Sequence, residues 1–437
     1  MKKKELKIGM IGSHFFWGGG AELLKFLSKG LLYNTNQQVK ILVFISDAKI
    51  NQEFSENLFF KIKKNLSLLK STILSYLKTY KKIFEQVIKF KSPVYIRQEY
   101  VKSSLSLDEF RDFFKNSRVE FIYYKSIKNG LTEEILKQDI DIVFPTGAVF
   151  NKDFSLPWIS YIFDFQHKYF PDFFSETEIE QRDKYFEKLI KESTTMIVNS
   201  KDTKNDINKF FPNNSAKIFN LPFCPYADVE WLDNMNTDVR KKYKLPKNYF
   251  IISNQFWIHK DHKTAFKALS ILINKYKVED IHLVCTGDMG DNKFPDFIYE
   301  LFRESKALKI RKYLHFTGLT PKREQIEIMK KSIALIQPTL FEGGPGGFAV
   351  YNAIALGIPV IISDIAVNLE VEGNNISIFK RSDAENLAEK MNKIVNTDIK
   401  RPDKETLLKQ GELSLEKLNK AIFEAINYSI NKNYEKI

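Results

Sequence analysis

"IALIQPTLFEGGPGGFAVYNAIALGIPVIISD" (residues 333–364) is an apolar segment, a glycine-rich turn, an alanine-rich segment and a second apolar run. The apolar ends predict strands at 333–338 and 359–364, and the alanine-rich part predicts a helix at about 347–356. A strand, a tight turn, a helix and a strand in this order are typical of a parallel α/β sheet. One carboxylate, Glu342, lies on the turn directly before the helix.

The same alternation extends outward on both sides of this stretch. In the C-terminal half, further strands are predicted at 249–254, 281–287 and 314–318. The N-terminal half opens with "LKIGMIGSHFFWGGGAELLKFLSKGLL" (6–32), a strand, a glycine turn and an amphipathic helix. Its later strands are predicted at 38–47, 120–124, 141–145 and 158–164, and residues 192–211 are predicted to form a strand followed by a helix. We therefore expect two successive doubly wound, Rossmann-like domains that face a cleft.

The predicted domain boundaries follow these two series. Residues 1–222 form an N-terminal domain with a helical insertion at about 57–91, and residues 249–413 form a C-terminal domain. Residues 223–248 are rich in proline and irregular in pattern, which indicates a linker. Residues 414–437 have an amphipathic pattern, and we expect a final helix that crosses back to the N-terminal domain.

Composition restricts the class of protein. The 437 residues are 43% hydrophobic and 28% charged, as in a soluble globular protein. Cys224 and Cys285 are too few for a disulfide framework and indicate a reducing, cytoplasmic compartment. The basic N-terminus lacks the apolar core of a signal peptide, and we expect no membrane-spanning segment. The net charge of +13 suits nucleic acid, anionic lipid, an anionic substrate or simply a lysine-rich surface, but no nucleic-acid-binding motif accompanies it.

The glycine turn has a chemistry of its own. Free backbone N–H groups at a helix start attract anions, and glycine lets a ligand approach the backbone closely. A carboxylate accepts strong hydrogen bonds from sugar hydroxyls. Glu342 together with the amides of four glycines would suit a sugar joined to a phosphate; these are Gly343, Gly344, Gly346 and Gly347. The alternative is a plain strand-to-helix turn in which the acid caps the helix.

Residues 333–364 resemble the donor-site signature of glycosyltransferase family 4, retaining enzymes of the GT-B fold and of the group 1 type. In that signature an acid follows a Pro-Ser/Thr-x-Phe stretch, and Glu342 stands at its place. Counted back from Gly357, Asn352 stands where the family has a second acid, so the turn is two residues longer than usual. The resemblance implies that Glu342 contacts the donor sugar and Asn352 contacts the ribose.

Two further stretches extend the resemblance. "SNQFWIHKDHKTAFKAL" (253–269) places Lys260 where the family has a basic residue for the donor diphosphate, and Gln255 where it often has arginine. "FFWGGGAELL" (15–24) resembles the glycine loop that faces the diphosphate, with Gly19 and Gly20 as the contacts.

The remaining site predictions fall in the N-terminal domain. In "FDFQHKYFPDFFSETEIEQRDKYF" (163–186), His167 resembles a histidine that lies close to the donor sugar. His14, beside the glycine loop, is a second candidate, and Ser200 borders the same region.

The resemblance implies transfer of a sugar from a nucleotide-diphosphate donor, UDP- or GDP-linked, to a hydroxyl of a glycan or lipid-linked acceptor, with retention of configuration. Glu342, His167 and Lys260 would be the catalytic residues, without a covalent nucleophile, a resident cofactor or a metal. The expected role is bacterial surface polysaccharide or lipopolysaccharide synthesis. One alternative is a weak or inactive nucleotide-sugar-binding paralogue, which Asn352 and Gln255 suggest. A GT-B epimerase or phosphorylase is another, although no pyridoxal-lysine motif supports a phosphorylase.

The insertion at 57–91 allows two interpretations. It has an apolar stripe at helical spacing, nine lysines and one glutamate. Such a helix would suit peripheral contact with an anionic membrane at the inner face of the cytoplasmic membrane, where a lipid-linked acceptor would lie. It could equally pack its stripe on its own domain and leave the lysines in water.

Overall fold

The computed structural model describes residues 5–15, 18–33, 37–48, 111, 118–127, 129–151, 153–233, 235–290, 293–294 and 296–435. The predicted helical insertion at 57–91 lies outside these residues. The described residues divide into two compact units. The first unit contains those up to Cys224 and from Leu413 onward, and the second contains those from Pro225 to Glu412.

In the described part of the first unit, seven parallel strands form one sheet in the order β3-β2-β1-β4-β5-β6-β7. The strands are β1 (Leu6–Met10), β2 (Val39–Ser46), β3 (Val119–Tyr124), β4 (Ile142–Thr146), β5 (Trp158–Tyr161), β6 (Thr195–Val198) and β7 (Lys217–Asn220). The helices are α1 (Gly18–Leu32), α2 (Gly130–Lys137), α3 (Gln166–Tyr169), α4 (Glu176–Glu192) and α5 (Lys201–Phe210), with short 3₁₀ turns at Gly12–Phe15 and Pro171–Phe173.

The strand order of the first unit places a topological switch between β1 and β4. β1 pairs with β2 on one side and with β4 on the other, so the helices that follow β1 and β4 leave the sheet on opposite faces. The carboxyl ends of these two strands therefore border the crevice in which ligands bind in open parallel sheets.

In the described part of the second unit, six parallel strands form a sheet in the order β10-β9-β8-β11-β12-β13. The strands are β8 (Tyr249–Ser253), β9 (His282–Thr286), β10 (Leu314–Gly318), β11 (Leu335–Gln337), β12 (Val360–Ser363) and β13 (Ile376–Phe379). The helices are α6 (Val229–Leu232), α7 (Val239–Tyr243), α8 (His262–Asn274), α9 (Phe297–Ala307), α10 (Lys322–Lys330), α11 (Gly347–Ala355), α12 (Ala384–Val395) and α13 (Lys404–Tyr434), with 3₁₀ turns at Ile258–Lys260, Arg311–Tyr313 and Ala366–Glu370.

The switch point of the second unit lies between β8 and β11. These strands are neighbours, with Leu335 opposite Ile251, and β8 pairs with β9 on its other side. All five residues of β8 are buried, because helices cover the two faces of a parallel sheet. The polar residues that follow β8 and β11 are thus brought side by side at one sheet edge.

Residues 223–248, which the sequence pattern predicts to be a linker, contain the two short helices α6 and α7. Trp231 and Tyr243 are buried, and the Tyr243 hydroxyl donates to Glu324, a residue of α10. Lys242 also pairs with Glu324 at 2.5 Å. These contacts attach the stretch to the second unit.

The long helix α13 contributes to both units. From Leu413 onward its residues belong to the first unit. There Asn419 Nδ2 donates to the carbonyl oxygens of Gly30 at 2.8 Å and Tyr33 at 3.2 Å. A Cβ on Gly30 would lie 2.7 Å from Leu418, so α1 and α13 approach closely. In the described part of the chain, no helix is both long enough and apolar enough to cross a bilayer.

Candidate functional site

The first element of the candidate site is the edge of the second sheet at its switch point. β8 ends at Ser253 and continues into Asn254 and Gln255, and β11 ends at Gln337. Because β8 and β11 are adjacent and parallel, their carboxyl ends bring these polar residues together. The glycine turn follows β11 directly and leads into α11.

Glu342 and Lys260 form a part-buried ion pair at this edge. Lys260 Nζ lies 2.6 Å from Glu342 Oε1, and the two side chains are 12% and 11% exposed. Backbone contacts hold the two loops together, since Leu340 N donates to the carbonyl oxygen of His259 at 2.8 Å and Thr339 Oγ1 donates to the same oxygen at 3.2 Å. The loops therefore position the pair before any ligand arrives.

The Glu342 carboxylate is also held from the strand side. Gln337 Nε2 donates to Glu342 Oε1 at 2.9 Å, and Asn254 Nδ2 donates to Gln337 Oε1 at 2.7 Å. Both hydrogen bonds to the carboxylate thus reach Oε1. The other oxygen, Oε2, lies 3.4 Å from the position that a Cβ on Gly347 would occupy.

The glycine turn is fixed by a buried polar network. Gly346 N donates to Asn368 Oδ1 at 2.9 Å, and Asn368 Nδ2 donates to the carbonyl oxygen of Ser363 at 2.9 Å. Ser363 Oγ in turn donates to the carbonyl oxygen of Thr339 at 2.6 Å. Gly346 and Gly347 have φ values of +63° and +64°, a conformation that favours glycine.

These contacts correct the expectation that the whole turn presents free amides. The amide of Gly346 is used by Asn368, and that of Gly347 donates to the carbonyl oxygen of Gly344 at 3.3 Å. The ligand contacts of Gly343, Gly344, Gly346 and Gly347 stay a prediction. The structure also disfavours the acid as a helix cap, because Gly346 is the N-cap of α11 and Glu342 binds Lys260 and Gln337 instead.

Asn352 and Gln255 lie on the two elements that border the switch point. Asn352 is in α11, the helix that the glycine turn opens, and is 7% exposed. Gln255 is partly buried and follows Asn254 after β8. Their contacts with a ligand stay predictions.

Two histidines next to Lys260 are neutral. His262 is fully buried, its ring stacks on Phe256 at 4.2 Å between centroids, and neither of its nitrogens has a hydrogen-bond partner among the described residues. Burial lowers the pKa of His262 to about 3. Burial, together with the charge of Lys260, also lowers the pKa of His259 far below its ordinary value. Between residues 258 and 262, Lys260 is therefore the one cation at neutral pH.

In the first unit, His14 and Gly147 lie just beyond β1 and β4, at the switch point of that sheet. A Cβ on Gly147 would lie 3.6 Å from His14 Nδ1, and Tyr185 donates to the carbonyl oxygen of Gly147 at 2.7 Å. Gly19 and Gly20 form the first turn of α1. A Cβ on Gly20 would lie 2.7 Å from the carbonyl oxygen of Phe15, so close packing of the loop already requires this glycine.

His167 is buried among aromatic side chains of the first unit. Its side chain has no exposed surface, and Nε2 lies 2.9 Å from Asp183 Oδ1, while Lys168 Nζ lies 2.7 Å from Asp183 Oδ2. Burial lowers the pKa of His167, against the opposing effect of Asp183. Ser200 caps α5, accepting a hydrogen bond from Thr203 N at 3.0 Å. These contacts explain both residues structurally, and the catalytic role of His167 stays a prediction.

The sequence analysis missed Gln337, Asn254 and Asn368. Gln337 was included in an apolar strand, and Asn254 stood between a strand and the segment of Lys260. The available signal was their position, because a polar residue at the carboxyl end of a buried parallel strand faces the edge where ligands bind. Among the described residues, no three His, Cys, Asp or Glu side chains are grouped so that they could hold a metal ion.

Comparison with solved structures defines the fold as GT-B. HepE of Anabaena, in complex with UDP and glucose, is 13% identical with a TM-score of 0.62, over 97% of this chain and 100% of that chain. Sucrose-phosphate synthase from Thermosynechococcus elongatus is 13% identical with a TM-score of 0.57, over 99% and 98%. WaaG, a glycosyltransferase involved in lipopolysaccharide biosynthesis, is 12% identical with a TM-score of 0.50, over 95% of each chain. A comparison with curated proteins finds no match.

The family comparison then identifies the second unit. Residues 235–410 match the family described as "Glycosyl transferases group 1". The predictions of a GT-B fold and of the group 1 type are confirmed. The assignment to glycosyltransferase family 4 stays a prediction.

Proposed function

We propose that this protein transfers a sugar from a nucleotide-diphosphate donor to a hydroxyl of a glycan or lipid-linked acceptor, with retention of configuration. The observation that carries the proposal is the part-buried Glu342–Lys260 pair at the switch point of the second unit, in which residues 235–410 match the group 1 family. UDP and glucose in the HepE complex, a protein of the same fold, support a nucleotide-sugar donor.

The pair has free bonding capacity of the kind that a sugar diphosphate needs. An ammonium group has three N–H donors, and Lys260 uses one of them on Glu342. The remaining donors suit the diphosphate. Glu342 Oε1 accepts from Lys260 and Gln337, which leaves Oε2, on the side of Gly347, to accept from a hydroxyl of the donor sugar.

Lys260 would also assist the chemical step. When the bond between the anomeric carbon and the diphosphate breaks, negative charge develops on the leaving diphosphate, and a positioned cation stabilises that charge. The acceptor hydroxyl would attack from the face that the leaving group vacates, through an oxocarbenium-like state and without a covalent nucleophile. Its oxygen would bond to the anomeric carbon, and its proton would pass to the departing diphosphate. His167, Gly19 and Gly20 of the first unit are proposed as further donor contacts, and no resident cofactor or metal takes part in this proposal.

Asn352 is proposed to contact the ribose, through an amide that can both donate and accept hydrogen bonds. Gln255 is proposed to contact the diphosphate through its neutral amide, at the position where the family often has a positively charged arginine. We propose UDP- or GDP-sugars as donors and surface polysaccharide or lipopolysaccharide synthesis as the role. The involvement of WaaG in lipopolysaccharide biosynthesis supports this role. A cytoplasmic location, with peripheral membrane contact through residues 57–91, belongs to the same proposal.

Transfer assays with a panel of UDP-, GDP-, dTDP- and ADP-sugars test the proposal. Glu342→Gln and Lys260→Met should each lower turnover about 100-fold or more, since each removes a group aimed at the reacting donor. The matched control is the exposed pair Lys275–Glu385, also 2.6 Å apart but 59% and 56% exposed. Lys275→Met and Glu385→Gln should retain wild-type turnover. Equal activity of both sets, or a product of inverted configuration by NMR, would contradict the proposal.

A second candidate is a paralogue that binds nucleotide sugars without turnover. The amide of Asn352 at the place of an acid favours it. Calorimetry separates the two, because the paralogue would bind a donor whose concentration then stays constant with every acceptor tried. Transfer or hydrolysis that Glu342→Gln abolishes would exclude it.

A further inference from the structure

We infer that Gln337 and Asn254 are positioning residues, which fix the Glu342 carboxylate so that Oε2 faces the donor sugar. The inference rests on the proposed function of Glu342 as an acceptor for a sugar hydroxyl. It adds two residues that act through Glu342 and do not themselves touch the donor.

The hydrogen bonds can run in one direction only. An ionised carboxylate accepts and cannot donate, so the end of Gln337 that faces Glu342 must be its NH₂ group. The opposite end is then a carbonyl oxygen, and Asn254 must present its NH₂ group to it. Reversing Gln337 would place its oxygen against the carboxylate and its NH₂ against the NH₂ of Asn254. The Glu342 carboxylate therefore fixes the direction of both hydrogen bonds, from Asn254 to Gln337 and from Gln337 to Glu342.

Burial makes this arrangement rigid. Gln337 is 1% exposed and lies in β11, the strand that pairs with both β8 and β12. A buried amide that lost its partner would find no water to replace it, so the hydrogen bonds are retained. The two donors on Oε1, from Gln337 and Lys260, approach from different elements. Rotation of the carboxylate would break both bonds, and Oε2 is therefore held on the side of Gly347.

The strand itself does not depend on this side chain. Gln337 pairs through its backbone with β12, opposite Ile362, whatever its side chain is. Gln337→Met keeps the length of the side chain but removes the donor and the acceptor. Gln337→Glu provides the sharper test, because the introduced carboxyl group donates to Glu342 when it is protonated, as the amide does, whereas it repels Glu342 when it is ionised.

The test measures transfer by the wild type and by Glu342→Ala, Gln337→Met, Gln337→Glu and Asn254→Ala. Gln337→Met should lower kcat about 10- to 100-fold, the loss expected for one hydrogen bond to a charged group, with a smaller change in the donor KM. Asn254→Ala should lower kcat in the same direction but by less, since it acts on Glu342 only through Gln337. Gln337→Glu should be nearly inactive at about pH 8 and should recover most of the wild-type kcat near pH 5, because the added carboxyl must be protonated to donate. A residue that only filled the core would not produce this inverted pH dependence.

Gln325→Met is the matched control. The amide of Gln325 donates to Ser253 Oγ at 2.7 Å, at the carboxyl end of the same strand β8, but it has no contact with Glu342. Its substitution should leave kcat within about twofold of the wild type. This change is much smaller than the roughly 10- to 100-fold loss of kcat expected when a hydrogen bond to a charged group is removed.

The outcomes distinguish failure of the positioning role from failure of the proposed function. If the wild type is active, Glu342→Ala is inactive, and Gln337→Met and Gln337→Glu both behave as the wild type, the inference is wrong and the proposed function stands. If the wild type neither transfers nor binds a nucleotide sugar, or if Glu342→Ala remains fully active, the proposed function fails and the positioning role fails with it.

Discussion

Replacement of Lys260 by methionine tests whether the ion pair at the sheet edge is as buried as its geometry indicates. Methionine keeps an unbranched apolar side chain and removes the charge. In the variant, Glu342 loses its contact with Lys260 at 2.6 Å and keeps the hydrogen bond from Gln337. An acid that is 11% exposed would then carry an uncompensated charge.

The burial of the pair decides the expected magnitude. Removing one partner of a buried ion pair costs about 3–5 kcal/mol, because the remaining charge has lost its water and its partner. The pair is only part-buried, and Gln337 still donates to the carboxylate, so we expect at most the lower end, about 3 kcal/mol. The exposed pair Lys275–Glu385 has the same length of 2.6 Å, and Lys275→Met should cost about 0–1 kcal/mol.

Urea unfolding, followed by tryptophan fluorescence, measures these costs. Trp231 and Trp257 report on the second unit. The double variant Lys260→Met/Glu342→Gln should recover stability to within about 1 kcal/mol of the wild type, because no lone buried charge remains. The reasoning is refuted if Lys260→Met shifts the unfolding midpoint no more than Lys275→Met does, or if the double variant is less stable than the single one.

Three further substitutions test other parts of the structure. Gly347→Ala and Gly318→Ala should each lower the free energy of unfolding by about 1–2 kcal/mol, because both glycines have a positive φ, +64° and +67°. Only Gly347→Ala should also lower transfer, about tenfold or more, since its Cβ would contact the Glu342 carboxylate. The pKa of His262 falls from 6.5 when unfolded to about 3 when folded, so its contribution is complete above pH 6.5 and is lost as the pH falls below it. His262→Leu should therefore reduce the loss of stability between pH 7 and pH 5 by about 2 kcal/mol, measured from urea midpoints at the two pH values. Gly30→Ala should destabilise the chain by about 1–3 kcal/mol through the contact of α1 with α13, whereas Gly411→Ala, in α13 with its nearest neighbour at 3.5 Å, should stabilise it by about 0.5–1 kcal/mol.

Hydrophobic patterning was sufficient to predict most strands of the six-stranded sheet in the second unit. The strand predicted at 314–318 has the same bounds in the structure, and the helix predicted at about 347–356 spans Gly347–Ala355. The edge strand β13 was not predicted, because a strand that is paired on one side only needs no long apolar run. Helix α12 was also missed, although its buried residues recur at helical spacing and Asp383 caps it.

The site was predictable to the extent that it lies on the glycine turn. Glu342 and Lys260 were both selected from the sequence, but their direct contact was not foreseen. They are 82 residues apart, and only the adjacency of β8 and β11 brings their loops together. For the same reason Gln337, a strand residue in the sequence, could be connected with Glu342 only through the structure. The use of the Gly346 amide by Asn368 depended on a third loop, after β12, which no local pattern indicated.

The sequence differs at two positions from the family signature that it resembles, and the two differences cancel in charge. At position 255 the family often has arginine and here has glutamine, and at position 352 it has an acid and here has asparagine. One positive and one negative charge are absent together, so the formal charge of these positions combined with Lys260 and Glu342 is zero in both cases. The long-range attraction for an anionic donor depends on this sum, whereas the fit to the ribose depends on hydrogen-bond geometry, which an amide can satisfy. An amide at each position therefore keeps the net charge of the site and changes its contacts with the nucleotide, a change that the panel of UDP-, GDP-, dTDP- and ADP-sugars would detect.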